Sequence, residues 1–190
     1  MSLEMQDAEP LPRSRADKHT VLSVIRQAVF LISLPFGILD FVLPIYGKRI
    51  GADAVQIGLF FSAFSLMIVL LRPLVGTWLD RYGRRPFFLA GMCGYGLTML
   101  VFAFSGQVWG IVIARIFQGV SSSLLWLSAQ AIVADTSTPS QRGRAFGGVA
   151  QSNSQGIILG TFIGFSVLMA VNIEAGWTPL FLGGGLISLV

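Results

Sequence analysis

Cysteine and histidine each occur once, at Cys93 and His19, in a chain of 190 residues. A single cysteine excludes an intrachain disulfide, and neither residue has companions of its own kind for a metal cluster. A nucleophile–histidine pair is out of reach for the same reason, so no enzyme chemistry, metal or organic cofactor is expected. The phosphate-binding pattern G-x-x-x-x-G-K-S/T is also missing, which argues against ATP hydrolysis by this chain and for energy from an ion gradient. Charge is scarce: 12% of residues are charged, against roughly 25% in an average soluble domain. A water-facing surface would need more. Hydrophobic residues make up 54% of the chain and mean hydropathy is +0.74. The surface is therefore expected to face lipid.

The net charge of +4 and isoelectric point near 9.8 would suggest a nucleic-acid partner in a soluble protein. Here most basic residues fall in short segments between apolar stretches, so membrane orientation explains them and no nucleic acid is expected. Residues 1–23 form a polar tail with two prolines, Pro10 and Pro12. It does not read as a secretory signal, because the apolar stretch that follows is too long and lacks a small-residue cleavage site. A spanning helix needs ~20 mostly apolar residues. That length predicts helices over 24–46, 56–78, 86–104, 108–134 and 145–171. A sixth apolar stretch, Trp177 to Val190, has 14 residues. It would rise only ~21 Å, against a hydrocarbon core ~30 Å thick. The expectation is an all-α bundle whose sixth helix is cut short, in a chain that is part of a longer reading frame.

Orientation follows from the basic residues. Arg13, Arg15, Lys18, Arg81, Arg84, Arg85, Arg142 and Arg144 fall on one side, and only Lys48 and Arg49 on the other. The bias predicts a cytoplasmic N-terminus. Trp78, Trp109 and Trp177 lie near predicted helix ends, where interfacial anchoring is expected.

The segment Gly76-Thr77-Trp78-Leu79-Asp80-Arg81-Tyr82-Gly83-Arg84-Arg85-Pro86 joins the second and third apolar stretches. A short cytoplasmic connection collects arginines readily, but charge alone does not predict Gly, Asp and Gly in this order. The segment resembles the G-x-x-x-D-R-x-G-R-R signature of the major facilitator superfamily. Arg115-Ile116-Phe117-Gln118-Gly119 resembles the R-x-x-Q-G motif of the same family. The run from Ala134 and Asp135 to Arg142-Gly143 resembles a third, with its proline displaced by two positions. The resemblance covers about residues 24–190. It implies the N-terminal six-helix half of a twelve-helix transporter, built from two inverted three-helix repeats, with alternating access about a midplane site. The partners it implies are the lipid bilayer, a small-molecule substrate, protons and a second six-helix half. The implied location is the plasma or inner membrane. One departure stands out: the antiporter signature of the fifth helix has a Gly-Pro pair, whereas Gly156 is followed by Ile157.

Physical arguments single out the same residues. Arg72, Gly76 and Asp80 recur every four residues and share a face with Gly58, Ser62 and Ser65. A stripe of small residues permits close helix approach. In the family this face meets the second half, so Arg72, Gly76, Asp80, Arg81, Gly83, Arg84, Arg85, Asp135 and Arg142 form a candidate gating set. Exposed ion pairs in a solvated loop are the plainer reading of its charges.

An arginine within an apolar span is expensive and a functional candidate by default. Asp40 lies ~7.5 Å outward of the middle of the first helix, and Arg115 ~9 Å outward of the middle of the fourth. Opposite charges at similar depth predict a pair beside a polar cavity, whose carboxylate takes a proton when the pair opens. Gln118, Ser122 and Trp126 follow Arg115 at helical spacing. Gln151 and Gln155 share a face within the polar run 151–155 and are candidates for the same cavity. Gly156, Gly160 and Gly164 form overlapping G-x-x-x-G repeats and predict close helix packing. The function expected is proton-coupled export of small, largely apolar compounds. Metabolite uptake, or a membrane sensor or relic that transports nothing, remains open.

Overall fold

The computed structural model describes the backbone of residues 15–170 and 173–189, and side-chain surroundings for 19–170 and 176–186. Six helices follow one another: α1 Arg15–Arg49, α2 Ala54–Tyr82, α3 Arg84–Phe104, α4 Val108–Thr136, α5 Arg142–Ala170 and α6 Ile173–Leu189. No strand occurs among the described residues. The first five helices are long and apolar enough to cross a membrane.

Several helix boundaries differ from expectation, the starts of α1 and α6 among them. α1 starts at Arg15, so the polar tail is helical over the part that is described; its residues before Arg15 lie outside the described residues. Charged and polar residues carry on the helix there because nothing in 15–23 breaks it. α6 starts at Ile173 rather than at Trp177 and has 17 residues, a rise of ~26 Å. The polar Glu174 and Gly176 hid its first turn from a reading based on hydropathy. Val190, the expected end of this helix, lies outside the described residues.

The connection between α2 and α3 is a single residue. Gly83 takes φ 85° and ψ 165°, a region that side chains other than glycine's barely enter. Its N–H donates to the Leu79 carbonyl at 3.1 Å, closing α2. Pro86 falls in the first turn of α3, where no N–H is needed. Most of the motif 76–86 is therefore helix, not loop. At the opposite end, Asp53 caps α2: its carboxylate accepts from the Gln56 N–H at 2.8 Å, and the Asp53 N–H donates back to the Gln56 side chain at 3.0 Å.

Packing places α1 and α4 at the centre. Half or more of their apolar stretches is buried, 50% and 56%, against 11% for α2 and 17% for α5. The principal interfaces are α1 with α5, α4 with α2, α3 with α4, α3 with α6 and α1 with α6. Exchanging α1 with α4, α2 with α5 and α3 with α6 maps this set onto itself, which is the arrangement two three-helix repeats would produce.

Glycines set the closest approaches. A Cβ at Gly156 would lie 2.6 Å from the Phe30 carbonyl, and one at Gly160 would fall on the Leu34 carbonyl. Gly164 is looser, its nearest neighbour being Val42 Cγ2 at 3.2 Å. These three residues hold α5 against α1, and Gly37 answers from α1 against the Ile157 carbonyl. Gly119 does the same for α4 against Phe64 and Met67 of α2. The serines and threonines of α4 mostly donate to their own helix four residues back, among them Ser121, Ser123 and Ser128. Their hydroxyls are satisfied without a neighbour, and their small size lets α3 approach.

Trp177 is not an interfacial anchor. It is 2% exposed, stacks on Tyr46 with ring centroids 3.5 Å apart, and donates from Nε1 to the Phe102 carbonyl at 2.7 Å. It ties α6 to α1 and α3. Trp78 and Trp109 are exposed, as their boundary positions suggest.

Candidate functional site

α1 and α4 meet near the bundle centre and bring Asp40 and Arg115 together. Arg115 Nη2 donates to Asp40 Oδ1 at 3.5 Å. The two side chains differ in surroundings: Arg115 is 1% exposed and Asp40 48%. Arg115 Nη1 donates to Gln118 Oε1 at 2.9 Å, and Gln118 Nε2 donates to the Tyr95 hydroxyl at 3.0 Å. Gln118 sits one helical turn after Arg115, so its amide spans the gap between the guanidinium and α3. Arg115 Nε is buried without an acceptor. The guanidinium instead lies over two α2 rings, 5.0 Å from the centroid of Phe61 and 5.5 Å from that of Phe64. Ring faces attract a cation and compensate part of the missing bond. A buried arginine is thus held by one carboxylate, one amide and two aromatic faces.

Tyr95 also lines a cavity of about 530 Å³ between α1, α2, α4 and α5. Its walls are largely apolar and aromatic, with Phe36, Phe64, Trp126 and Phe146 contributed by four different helices. Ser33, Ser122, Gln130 and Asn153 add polar points, and Arg72 adds a charge. Ser33 Oγ has two acceptors within reach, the Val29 carbonyl at 2.6 Å and Asn153 Oδ1 at 2.8 Å. One hydroxyl proton serves only one of them at a time. The chain Asp40–Arg115–Gln118–Tyr95 therefore runs from a half-exposed carboxylate to the cavity wall.

The expected cavity residues divide. Ser122 and Trp126 line it, and Gln118 lies behind Tyr95. Gln151 and Gln155 do not line it. On α5 the cavity face runs through Phe146, Val149, Ala150, Asn153 and Ile157, and 151 and 155 are turned away by the helical period. Gln155 instead lines a separate cavity of about 500 Å³ with Arg26 and Ser152. Tyr95 and Asn153 escaped the sequence reading. A lone tyrosine between Gly94 and Gly96 in an apolar stretch was the available signal for the first. Asn153 gave none beyond its place in a polar run.

The candidate gating residues gather at the end of the bundle that carries the α2–α3 connection. Arg84 Nε stands 2.9 Å from Asp135 Oδ2, close but with the N–H not aimed at the oxygen. Arg84 Nη2 lies 3.9 Å from Asp80 Oδ1. Arg84 thus bridges a carboxylate of α2 and one of α4. Arg142 does not join this set; its Nη2 donates to the Ala134 carbonyl at 3.4 Å, completing the end of α4. The Arg81 guanidinium rests 5.5 Å from the centre of the Tyr82 ring. Arg85 lines a cavity of about 360 Å³ with Arg84 and Asp135. Gly58 and Gly76 have open space where a Cβ would stand, and Ser62, Ser65, Arg72 and Asp80 are exposed. The small-residue face of α2 is thus largely open, apart from the approach of Arg84 to Asp80 and the place of Arg72 at the cavity.

Comparison with known proteins follows the same line. The chain is 27% identical over 150 residues to Multidrug resistance protein 2 of Bacillus subtilis, a match covering 79% of the chain and 38% of that protein. It is 29% identical over 136 residues to Quinolone resistance protein NorA of Staphylococcus aureus, covering 72% of the chain and 35% of that protein. These matches span little more than a third of the curated relatives. The family described as Major Facilitator Superfamily matches residues 28–190. With six helices in this arrangement and a match over most of its length, the chain belongs to the Major Facilitator Superfamily.

Proposed function

We propose that the protein exports small, largely apolar compounds across the plasma membrane in exchange for protons, and that this chain supplies the N-terminal half of the machinery. The observation that carries the reading is the chain Asp40–Arg115–Gln118–Tyr95, which ends at the apolar cavity. Cargo in the cavity would contact Tyr95, and any movement of Tyr95 would pass through Gln118 to Arg115. Cargo that holds Tyr95 in place would keep Arg115 on Asp40 and the proton off, while a proton taken up through the exposed half of Asp40 would free Arg115 and, through Gln118, move Tyr95 against the cargo. Cargo and proton would thereby compete for one arrangement of charges, as exchange requires. The names of the two relatives, a multidrug and a quinolone resistance protein, are in keeping with export.

In this proposal the bundle end with Arg84 and Arg85 is cytoplasmic, in line with the bias of basic residues. The pairs Arg84–Asp135 and Arg84–Asp80 would break and re-form as the two halves rock. The open small-residue face of α2 would meet the second half.

The test is transport in everted membrane vesicles carrying the complete gene product, with a fluorescent hydrophobic cargo and an imposed pH gradient. Asp40→Asn is expected to abolish gradient-driven accumulation while cargo still binds, and Asp40→Glu to retain it in part. Undiminished gradient-driven accumulation by Asp40→Asn would refute the proposal.

A further inference from the structure

α5 meets α1 along Gly156, Gly160 and Gly164, and Asn153 and Ile157 fall to one side of that line while Gln155 falls to the other. On the Gln155 side lies the cavity of about 500 Å³. The cavity between α1, α2, α4 and α5 separates it from α2, whose open face is left for the second half. The contact of α5 with α6 is slight, so the groove between them opens sideways, toward lipid. Arg26, Gln27, Ser152 and Gln155 give the groove its polar groups. Gln155 stands eleven residues, ~16 Å, deeper in the span than Arg144, the last charge on α5, and its side chain is exposed. Hydrocarbon offers an amide at that depth no hydrogen bond, so it calls for a polar partner. Arg26 is held across the groove. Its Nε donates to Ser152 Oγ at 3.5 Å, and its Nε, Cδ and Cζ lie 3.3, 3.4 and 3.5 Å from where a Cβ at Gly148 would stand. Glycine at 148 leaves room for the guanidinium to lie against α5 instead of extending into water. Among the described residues, no carboxylate lies within ion-pair distance of Arg26, and no Asp or Glu lines the groove.

We propose that this groove holds an anionic phospholipid, with its phosphate on the Arg26 guanidinium, its ester carbonyls on the Gln155 amide, and its acyl chains running past Phe30 and Leu31. α1 and α5 run in the same direction, so polarity changes in the same sense along both. Phe30 lies four residues, ~6 Å, deeper than Arg26. Beyond Gln155 the exposed residues of α5 are Ile158, Leu159 and Phe162. A cation at the shallow end, amides below it and bare hydrocarbon beyond match the order of phosphate, ester and chain in a phospholipid. Arginine presents a planar fork of N–H donors that fits two phosphate oxygens. The charge balance favours an anionic lipid over a zwitterionic one. With no carboxylate in the groove, the cationic group of a zwitterionic headgroup finds no partner and competes with Arg26 for its own phosphate.

Native mass spectrometry of the complete gene product, stripped of lipid in detergent, follows binding as dioleoyl phosphatidylglycerol, dioleoyl phosphatidylcholine or glycerol 3-phosphate is added. The first phosphatidylglycerol is expected to bind at least about tenfold more tightly than the first phosphatidylcholine, the value of one charge-assisted contact. Glycerol 3-phosphate, which has no chains, should not displace it at equal concentration. Arg26→Gln should bring phosphatidylglycerol to the level of phosphatidylcholine, and Arg26→Lys should keep part of the preference. Gln155→Leu should weaken both lipids alike and leave their ratio unchanged. Lys48→Gln, at the opposite end of α1, should change neither. The inference is overturned if the preference survives Arg26→Gln, or if glycerol 3-phosphate displaces the lipid, which would make the site one for free anions. It is equally overturned if the two lipids bind alike to the parent protein, as they would with the groove covered by another segment of the complete gene product.

Discussion

Replacing Gly160 with alanine tests whether α5 is held to α1 by backbone contact. The added Cβ would fall on the Leu34 carbonyl oxygen, with the Leu34 carbonyl carbon at 2.9 Å and the Ile38 nitrogen at 3.2 Å. All three are backbone atoms of a neighbouring helix, so no side-chain rotation relieves the clash. Ordinary contact for a methyl begins near ~3.4 Å, and regaining it moves the helices apart by well over half an ångström. A radial gap of that size forfeits a quarter to a half of each dispersion contact along the interface. The α1–α5 interface is the most extensive in the bundle. Overpacking of a tight interface costs typically ~1–3 kcal/mol, and the backbone-on-backbone geometry places Gly160→Ala at about 2–3 kcal/mol of that range.

The same helix supplies its own controls. At Gly164 the nearest atom is Val42 Cγ2 at 3.2 Å, a methyl on a side chain that gives by a few tenths of an ångström. Gly164→Ala should stay within about 0.5 kcal/mol of the parent. Gly76→Ala meets nothing within 4 Å in this chain, so it should be neutral or gain up to ~1 kcal/mol from helix propensity. The assay is equilibrium unfolding in mixed detergent and SDS micelles, followed by far-UV circular dichroism. The expected order of stability is Gly76→Ala, then Gly164→Ala, then Gly160→Ala. Equal losses at 160 and 164 would show that the interface yields as a soft side-chain surface and would refute the argument.

Three further substitutions probe other joints. Gly83→Ala forces a side chain into φ 85°, ψ 165° and should cost about 1–3 kcal/mol in the same unfolding assay, with the hinge between α2 and α3 the first part to open to protease. Tyr95→Phe keeps the ring but leaves Gln118 Nε2 buried without its acceptor, a loss of about 1–3 kcal/mol by thermal unfolding; adding Gln118→Leu should recover none of it, because the buried Arg115 Nη1 then loses its acceptor as well. Arg84→Ala removes pairs at the partly exposed end of the bundle and should change stability by less than ~1 kcal/mol, with the difference shrinking as salt is raised.

Helix number and approximate position were legible because apolar length is the strongest signal in a chain that faces lipid. The start of α6 was not, because Glu174 lowers the local hydropathy while leaving the backbone free to stay helical. The approach of Asp40 to Arg115 followed from depth alone: residue count along each helix fixes height, and two opposite charges within apolar spans at one height seek each other. Azimuth is a different quantity. Which face of α5 looks into the cavity depends on how the glycine stripe at 156, 160 and 164 docks on α1, and that docking turns Asn153 inward and Gln151 and Gln155 away. A run of five polar residues covers every direction of the helix, so spacing within it carried no azimuth at all.

The internal symmetry of the bundle explains why the charge pair sits where it does. Gly37 of α1 touches α5 and Gly119 of α4 touches α2, so these two glycines occupy matching places in the two repeats. Four residues before each lies the residue that faces the same partner helix. On α1 it is Ser33, which reaches Asn153 of α5. On α4 it is Arg115, which lies over Phe61 and Phe64 of α2. One position thus carries a neutral hydroxyl in one repeat and a guanidinium in the other. A charge in both would crowd two cations around one cavity, and a hydroxyl in both would leave Asp40 without a partner. In the function proposed above, the asymmetry would give a symmetric scaffold a single place where protonation changes the balance of charge. Exchanging the two residues, with Ser33→Arg and Arg115→Ser in one protein, should therefore separate Asp40 from its cation, and it should also loosen the α1–α5 contact because Ser33 is buried there. If gradient-driven transport in everted vesicles survived that exchange, coupling would not depend on which repeat carries the charge.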